Sequence, residues 1–126
     1  MREIYTYYDG KHCPVNDFLL LSDKKVQKKF SFCLDYVKDE KNVFCEPVVK
    51  HFSLEKYRML YQLRIKAART MVRIIFYEHN GDIYLLHAFY KKDNKTTQRA
   101  LEAALRIWEK ICDKEGNINI DSVRKI

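Results

Sequence analysis

Glycine and proline are scarce, three and two residues in a chain of 126, which excludes collagen-like, proline-rich and flexible-linker sequences. Long apolar runs are missing as well. The longest candidates, Phe18 to Leu21 and Ile83 to Leu86, fall far short of the roughly 18 to 20 residues a membrane helix requires. The polar opening Met1 to Tyr8 does not resemble a signal peptide, so a soluble cytoplasmic protein that meets no membrane is the expectation. Cys13, Cys33, Cys45 and Cys112 include no Cys-x-x-Cys pair; neither a zinc ribbon nor a disulfide framework is suggested, and reduced, mostly buried thiols are expected. His12, His51, His79 and His87 lack ligand spacing, and no glycine-rich phosphate loop is present. No metal and no nucleotide cofactor is therefore expected, and any chemistry falls to side chains alone.

What is abundant is apolar surface and positive charge. Hydrophobic residues make up 47% of the chain, enough for one domain over residues 1–126 with a single core. The net charge is +7, and its distribution says more than its size: Lys56 to Arg99 hold ten Lys or Arg against three acids, while the flanks are balanced. A basic excess confined to one region is the footprint of a polyanion-binding surface, because phosphate contacts supply most non-specific nucleic-acid affinity. A solvated basic surface without a partner is the plain alternative.

Hydrophobic periodicity organises the chain. Glu3 to Tyr8, ending at Asp9-Gly10, reads as a strand leaving through a turn. Pro14 opens a short helix, and Ser22 is a candidate N-cap for the next. From Asp23 to Glu40, Val26, Phe30, Cys33 and Val37 recur at helical spacing, with Lys24, Lys25, Lys28 and Lys29 off that stripe as a solvated face. Asn42 to Leu54 reads as loop. Tyr57 to Ile65 alternates, with Tyr57, Met59, Tyr61, Leu63 and Ile65 on one side and Arg58, Gln62 and Arg64 on the other. Thr70 to Glu78 and Asp82 to Tyr90 flank Asn80-Gly81, a strong short-range hairpin signal. Beyond Lys92, Leu101, Ala104, Leu105, Trp108 and Ile111 mark a helix that Thr96 or Thr97 can cap and Gly116-Asn117 ends, and residues 117–126 read as a tail. The fold class is α+β: an antiparallel sheet, mixed at an edge, with helices over one face and the other face partly open.

Candidate chemistry sits on that open face. If Val72, Ile74 and Phe76 face the helices, Arg73 points away from them and Arg64 joins it from the neighbouring strand. Two mid-strand arginines are either paired with carboxylates or are planar forks for phosphate. His87 is a hydrogen-bonded core histidine or a proton carrier, and its spacing puts it on one face with Phe89 and Lys91. Lys91 and Lys92 either terminate the strand or bind phosphate. Tyr77 and Phe89 are core rings or stacking surfaces for unpaired bases.

Three stretches together carry a resemblance. Leu60-Tyr-Gln-Leu-Arg64, Arg73-Ile-Ile-Phe76 and Leu85-Leu-His-Ala-Phe-Tyr-Lys-Lys92, with their mutual spacing, resemble the strands of the RelE/HigB toxins of bacterial toxin–antitoxin modules, more closely a branch described as phage-derived proteins. The match runs from about Val49 to Ile111. Lys95-Thr96 and a helix with Ala100, Ala103 and Ala104 resemble the family's stretch after the lysine pair, although Thr97 stands where proline is usual and Gln62 where glutamate is usual.

The resemblance implies a RelE-like microbial-RNase fold and a metal-independent endoribonuclease. Such a toxin cleaves messenger RNA, usually on the ribosome, by attack of the ribose 2′-hydroxyl on the adjacent phosphate, and is restrained by a cognate antitoxin, here of the helix-turn-helix HigA type. Arg64, Arg73, His87, Lys91 and Lys92 are then the catalytic candidates. Arg58, Tyr77, Phe89 and Lys95 are the substrate-binding candidates. The alternative is a non-catalytic RNA- or antitoxin-binding module on the same fold.

Overall fold

The computed structural model describes residues 1–67 and 69–126. Three helices and six strands follow in the order β1 (Ile4–Tyr7), α1 (Pro14–Leu20), α2 (Lys24–Lys38), β2 (Val49–His51), β3 (Leu60–Ala67), β4 (Thr70–His79), β5 (Asp82–Tyr90), α3 (Asn94–Ile111) and β6 (Val123–Lys125). The strands form one mixed sheet in the order β2-β3-β4-β5-β1-β6, with β1 parallel to β5 and the other pairs antiparallel. The α+β class expected from the element pattern holds.

Local chemistry explains most of the boundaries. Asp23, not Ser22, caps α2, its carboxylate accepting the Val26 amide at 3.0 Å, while the Ser22 hydroxyl turns back to the Phe18 carbonyl. Asp93, not a threonine, caps α3: it accepts both the amide and the hydroxyl of Thr96 at 2.8 Å. In both places a carboxylate meets the positive end of the helix dipole, a stronger cap than a neutral hydroxyl. The helix ends at Ile111, before the expected Gly116-Asn117, because Cys112 bridges to Ile118 and turns the chain back. Asn80 and Gly81 adopt φ of 51° and 87°, the positive values that a tight two-residue hairpin needs.

Four expectations are corrected. Val49–His51, inside the expected loop, forms edge strand β2; with three residues, of which only Val49 is buried, no alternation is visible. Residues Glu55–Tyr57 form a 3-10 turn rather than the start of a strand, which seats the Tyr57 ring among α3 residues. The expected tail supplies β6, which pairs with β1 and covers its free side. The four cysteines are free, but only Cys33 and Cys112 are buried, Cys45 being exposed.

The helices also occupy both faces of the sheet. Val26, Cys33 and Val37 of α2 and Val15 and Leu19 of α1 pack with Leu63, Ile65, Val72, Ile74 and Phe76 on one side. Ala100, Leu101, Ala104 and Ile111 of α3 pack with Leu60, Ile75, Leu86 and Phe89 on the other. Two apolar helix stripes of this size need two apolar surfaces, and near-continuous apolar strands such as β4 provide one on each side. The sheet face that looked open is therefore largely covered.

Candidate functional site

The register of β3 against β4 sets Arg64 directly opposite Arg73. Val72 and Ile74 belong to the α1–α2 side, so the two-residue period sends Arg73, and with it Arg64, to the α3 side. A bulge in β5 then matters. Ile75 pairs with His87 while Phe76 pairs with Leu85, leaving Leu86 extra, so Leu86 and His87 both point to the α3 side. Bulges often re-aim a side chain next to a functional site. Arg73 and Phe89 are register partners, and the Lys91 amide continues the ladder to the Met71 carbonyl at 2.8 Å.

Arg64, Arg73, His87, Phe89 and Lys91 thus come together on one end of one face. Arg73 is the unusual member: only 2% exposed, it donates one bond to the Val72 carbonyl at 3.1 Å, and its Nε has no partner among the described residues. Burial, then the Arg64 guanidinium, disfavour its charged form. Arg64 is half-buried and pairs with Glu46 at 2.6 Å. Partial burial, followed by Arg73, Lys50 and Arg64, holds the Lys91 ammonium below the usual lysine range. Among the described residues Glu46 is the one carboxylate paired with this cluster, so its charge is largely uncompensated.

His87 stacks on Phe89, ring centroids 6.1 Å apart and planes within 16°. Burial, then Arg106 of α3, push its pKa below the ordinary histidine value, so the ring is neutral at pH 7 and able to take a proton. Among the described residues no group of three or more His, Cys, Asp or Glu is placed to hold a metal ion. The arrangement is suited to binding an anion through fixed donors, beside two groups, His87 and Lys91, with shifted proton affinity.

The remaining candidates lie elsewhere. Lys92 is exposed just past β5, and Lys95 is exposed in the first turn of α3; among the described residues neither is tied to the cluster by a hydrogen bond or an ion pair. Arg58 ends the 3-10 turn, paired with Glu55 at 2.9 Å, beyond the opposite end of β3. Tyr77, opposite Leu60 at that same end, packs edge-on against Trp108 with centroids 5.9 Å apart, a core position.

Sequence reasoning missed Lys50, Lys66 and Glu46. Lys66 had a signal, since it follows Arg64 by two residues and shares its side of β3. Lys50 pairs with Gln62 and had none, because β2 was not visible. The partnership of Glu46 with Arg64 crosses 18 residues and depends on where the loop before β2 runs.

Comparison with known proteins gives one family. The family model described as phage-derived protein Gp49-like (DUF891) matches residues 17–109. No curated protein matches the chain significantly. No solved structure does so either.

Proposed function

The chain belongs to this phage-derived Gp49-like family, and from that premise we propose that it is the toxin of a type II toxin–antitoxin module, of RelE/HigB type, cleaving messenger RNA on the ribosome. The observation that carries the reading is the Arg64–Arg73 pair: two guanidiniums in direct register, one of them buried, with a single carboxylate paired to them among the described residues. Like charges placed opposite each other in a sheet are destabilising. An anion between them relieves that cost, and a phosphodiester is the anion whose geometry suits two planar forks.

In the proposed reaction the guanidiniums of Arg64 and Arg73 hold the non-bridging oxygens of the scissile phosphate. The ribose 2′-oxygen attacks that phosphorus as its proton passes to neutral His87 or to Lys91 in its neutral amine form. The new O2′–P bond forms as the P–O5′ bond breaks, and O5′ takes up a proton. The products are a 2′,3′-cyclic phosphate and a 5′-hydroxyl. Charge on the pentavalent phosphorus grows toward donors already in place, where one such donor is worth about 100-fold in rate or more. Lys92, Lys95 and Arg58 are exposed cations outside the cluster and serve at most the message beyond the scissile bond. The protein acts in the cytoplasm under this reading; among the described residues no helix is long and apolar enough to cross a membrane. Its restraining partner is a helix-turn-helix antitoxin.

The test is toe-printing of a translated message in a cell-free bacterial system, with wild type beside Arg73→Met. Breaks produced by wild type alone support the ribonuclease. A message left intact by wild type removes the enzymatic reading and leaves a non-catalytic binding module on the same fold.

A further inference from the structure

The lysines of α2 look like an ordinary solvated helix face, but their surroundings include features that such a face does not need. Backbone pairing on the outer side of β3 ends where the Arg64 amide donates to the Val48 carbonyl at 2.9 Å, whereas β3 runs on to Ala67, so among the described residues Ile65 to Ala67 has no strand beside it on that side. A cavity of about 460 Å³ opens there, with Lys29 and Phe32 of α2 on one wall and Arg64, Lys66 and Arg73 on the other. It wraps around the edge and joins the two faces of the sheet. A second, shallower cavity of about 360 Å³ shares Lys29, Phe32 and Lys66 and adds Lys25 and Lys28. Among the described residues, no Asp or Glu lines either one.

Two observations within this groove point to a ligand. Arg73 is 2% exposed, lines the cavity, and has an Nε without a partner among the described residues. Phe32 is an aromatic ring left 59% exposed on a basic helix face, with the Lys29 ammonium 4.9 Å from its centroid. A ring held beside cations in a groove lined by Lys and Arg is the arrangement by which proteins hold single-stranded nucleic acid, the base stacking on the ring and the backbone running along the charges.

We propose that this groove is a second nucleotide subsite, taking the residue that flanks the scissile phosphate of single-stranded RNA: its base on Phe32, its phosphate on Lys29 and Lys66. The assignment rests on the ribonuclease reading of the Arg64–Arg73 face and extends it around the sheet edge to α2. It also gives the exposed Phe32 ring a role, since nothing in the core requires it.

The probe is a fluorescein-labelled 2′-O-methyl octauridylate, which cannot undergo 2′-hydroxyl attack, followed by anisotropy at low salt. Phe32→Ala is expected to weaken binding about tenfold, the usual scale for one lost base stack. Phe32→Trp should keep the affinity, and Phe32→Leu should behave as the alanine variant. Lys29→Ala should reduce the salt slope by about 0.7, the share of one phosphate contact on a single strand. Phe32 is exposed, so none of these changes threatens folding. The subsite is overturned if Phe32→Ala or Phe32→Leu binds as wild type does, or if these variants lose binding to a polyglutamate peptide while keeping the RNA. Toe-printing separates the two readings: message cleavage by wild type with unchanged RNA affinity in Phe32→Ala removes the subsite alone, whereas a wild type that neither binds the octamer nor cleaves removes both.

Discussion

Replacing Arg73 with methionine is expected to make the protein more stable and to slow the proposed RNA cleavage about 100-fold or more. The side chain is 2% exposed, its Nε has no partner among the described residues, and it lies in register with a second guanidinium. A buried donor left unsatisfied costs about 1 to 3 kcal/mol, and a like charge directly across a strand pair adds up to about 1 kcal/mol. Methionine fills similar volume and removes both penalties, losing only the bond to the Val72 carbonyl, worth about 1 kcal/mol. These terms sum to a net gain between about 0 and 3 kcal/mol, centred on about 1.5 kcal/mol, a rise in melting temperature of about 5 °C for a chain of this size. Thermal unfolding by circular dichroism, repeated with a short RNA, measures it. Bound RNA should raise the wild-type midpoint and narrow the gap, because binding to the native state alone stabilises it. A methionine variant that melts below wild type would show that the guanidinium supports the core, and the argument for a site held ready at the expense of stability would fail.

Three further outcomes follow from the same geometry. Glu46→Gln frees Arg64 from its 2.6 Å ion pair and should tighten octauridylate binding several-fold with a steeper salt slope; unchanged affinity would mean that Arg64 does not reach the RNA. His87 has a depressed pKa in the folded state, so above about pH 6.5 it is neutral both folded and unfolded and has no effect on stability. As the pH falls below that value the unfolded chain takes up the proton first, so wild type should lose stability relative to His87→Asn, the difference levelling off below the folded pKa. Denaturant titrations from pH 8 to 5 test this, and a flat difference would refute the burial argument. Asp93→Ala removes the acceptor for the Thr96 amide and hydroxyl and should cost about 1 kcal/mol, read from the denaturation midpoint; a change within error would mean the α3 cap contributes nothing.

Signals that act over a few residues were legible in the chain. The four-three-four apolar spacing of α2, the stripe of α3, the Asn80-Gly81 hairpin and the alternation that sends Arg73 away from Val72 and Ile74 all depend on neighbours in sequence, and all are in the fold. So is the joining of Arg64 to Arg73, because alternation along two neighbouring strands puts their mid-strand arginines on the same side once the strands pair. Capping was the weakest local reading, since Ser22, Thr96 and Thr97 were eligible and only the folded backbone selected the aspartates.

What the tertiary structure alone decided are features with no local trace. The parallel pairing of β1 with β5 is tied by the Glu3 amide to Asp82, 79 residues away. Strand β2 exists because β3 offers it an edge, and β6 because β1 does, so neither required a strand-like pattern of its own. Whether α3 lay beside α2 or across the sheet from it rested on which apolar surface was still unfilled. The charge of the site was settled in the same way. Composition placed a basic excess within Lys56 to Arg99, but the meeting of Lys50, Arg64, Arg73 and Lys91, the pairing of Glu46 with Arg64, and the Phe32 ring at the sheet edge are consequences of register and layer. Periodicity encodes the side of an element that is buried, whereas electrostatics and binding depend on distances that only the packed chain establishes.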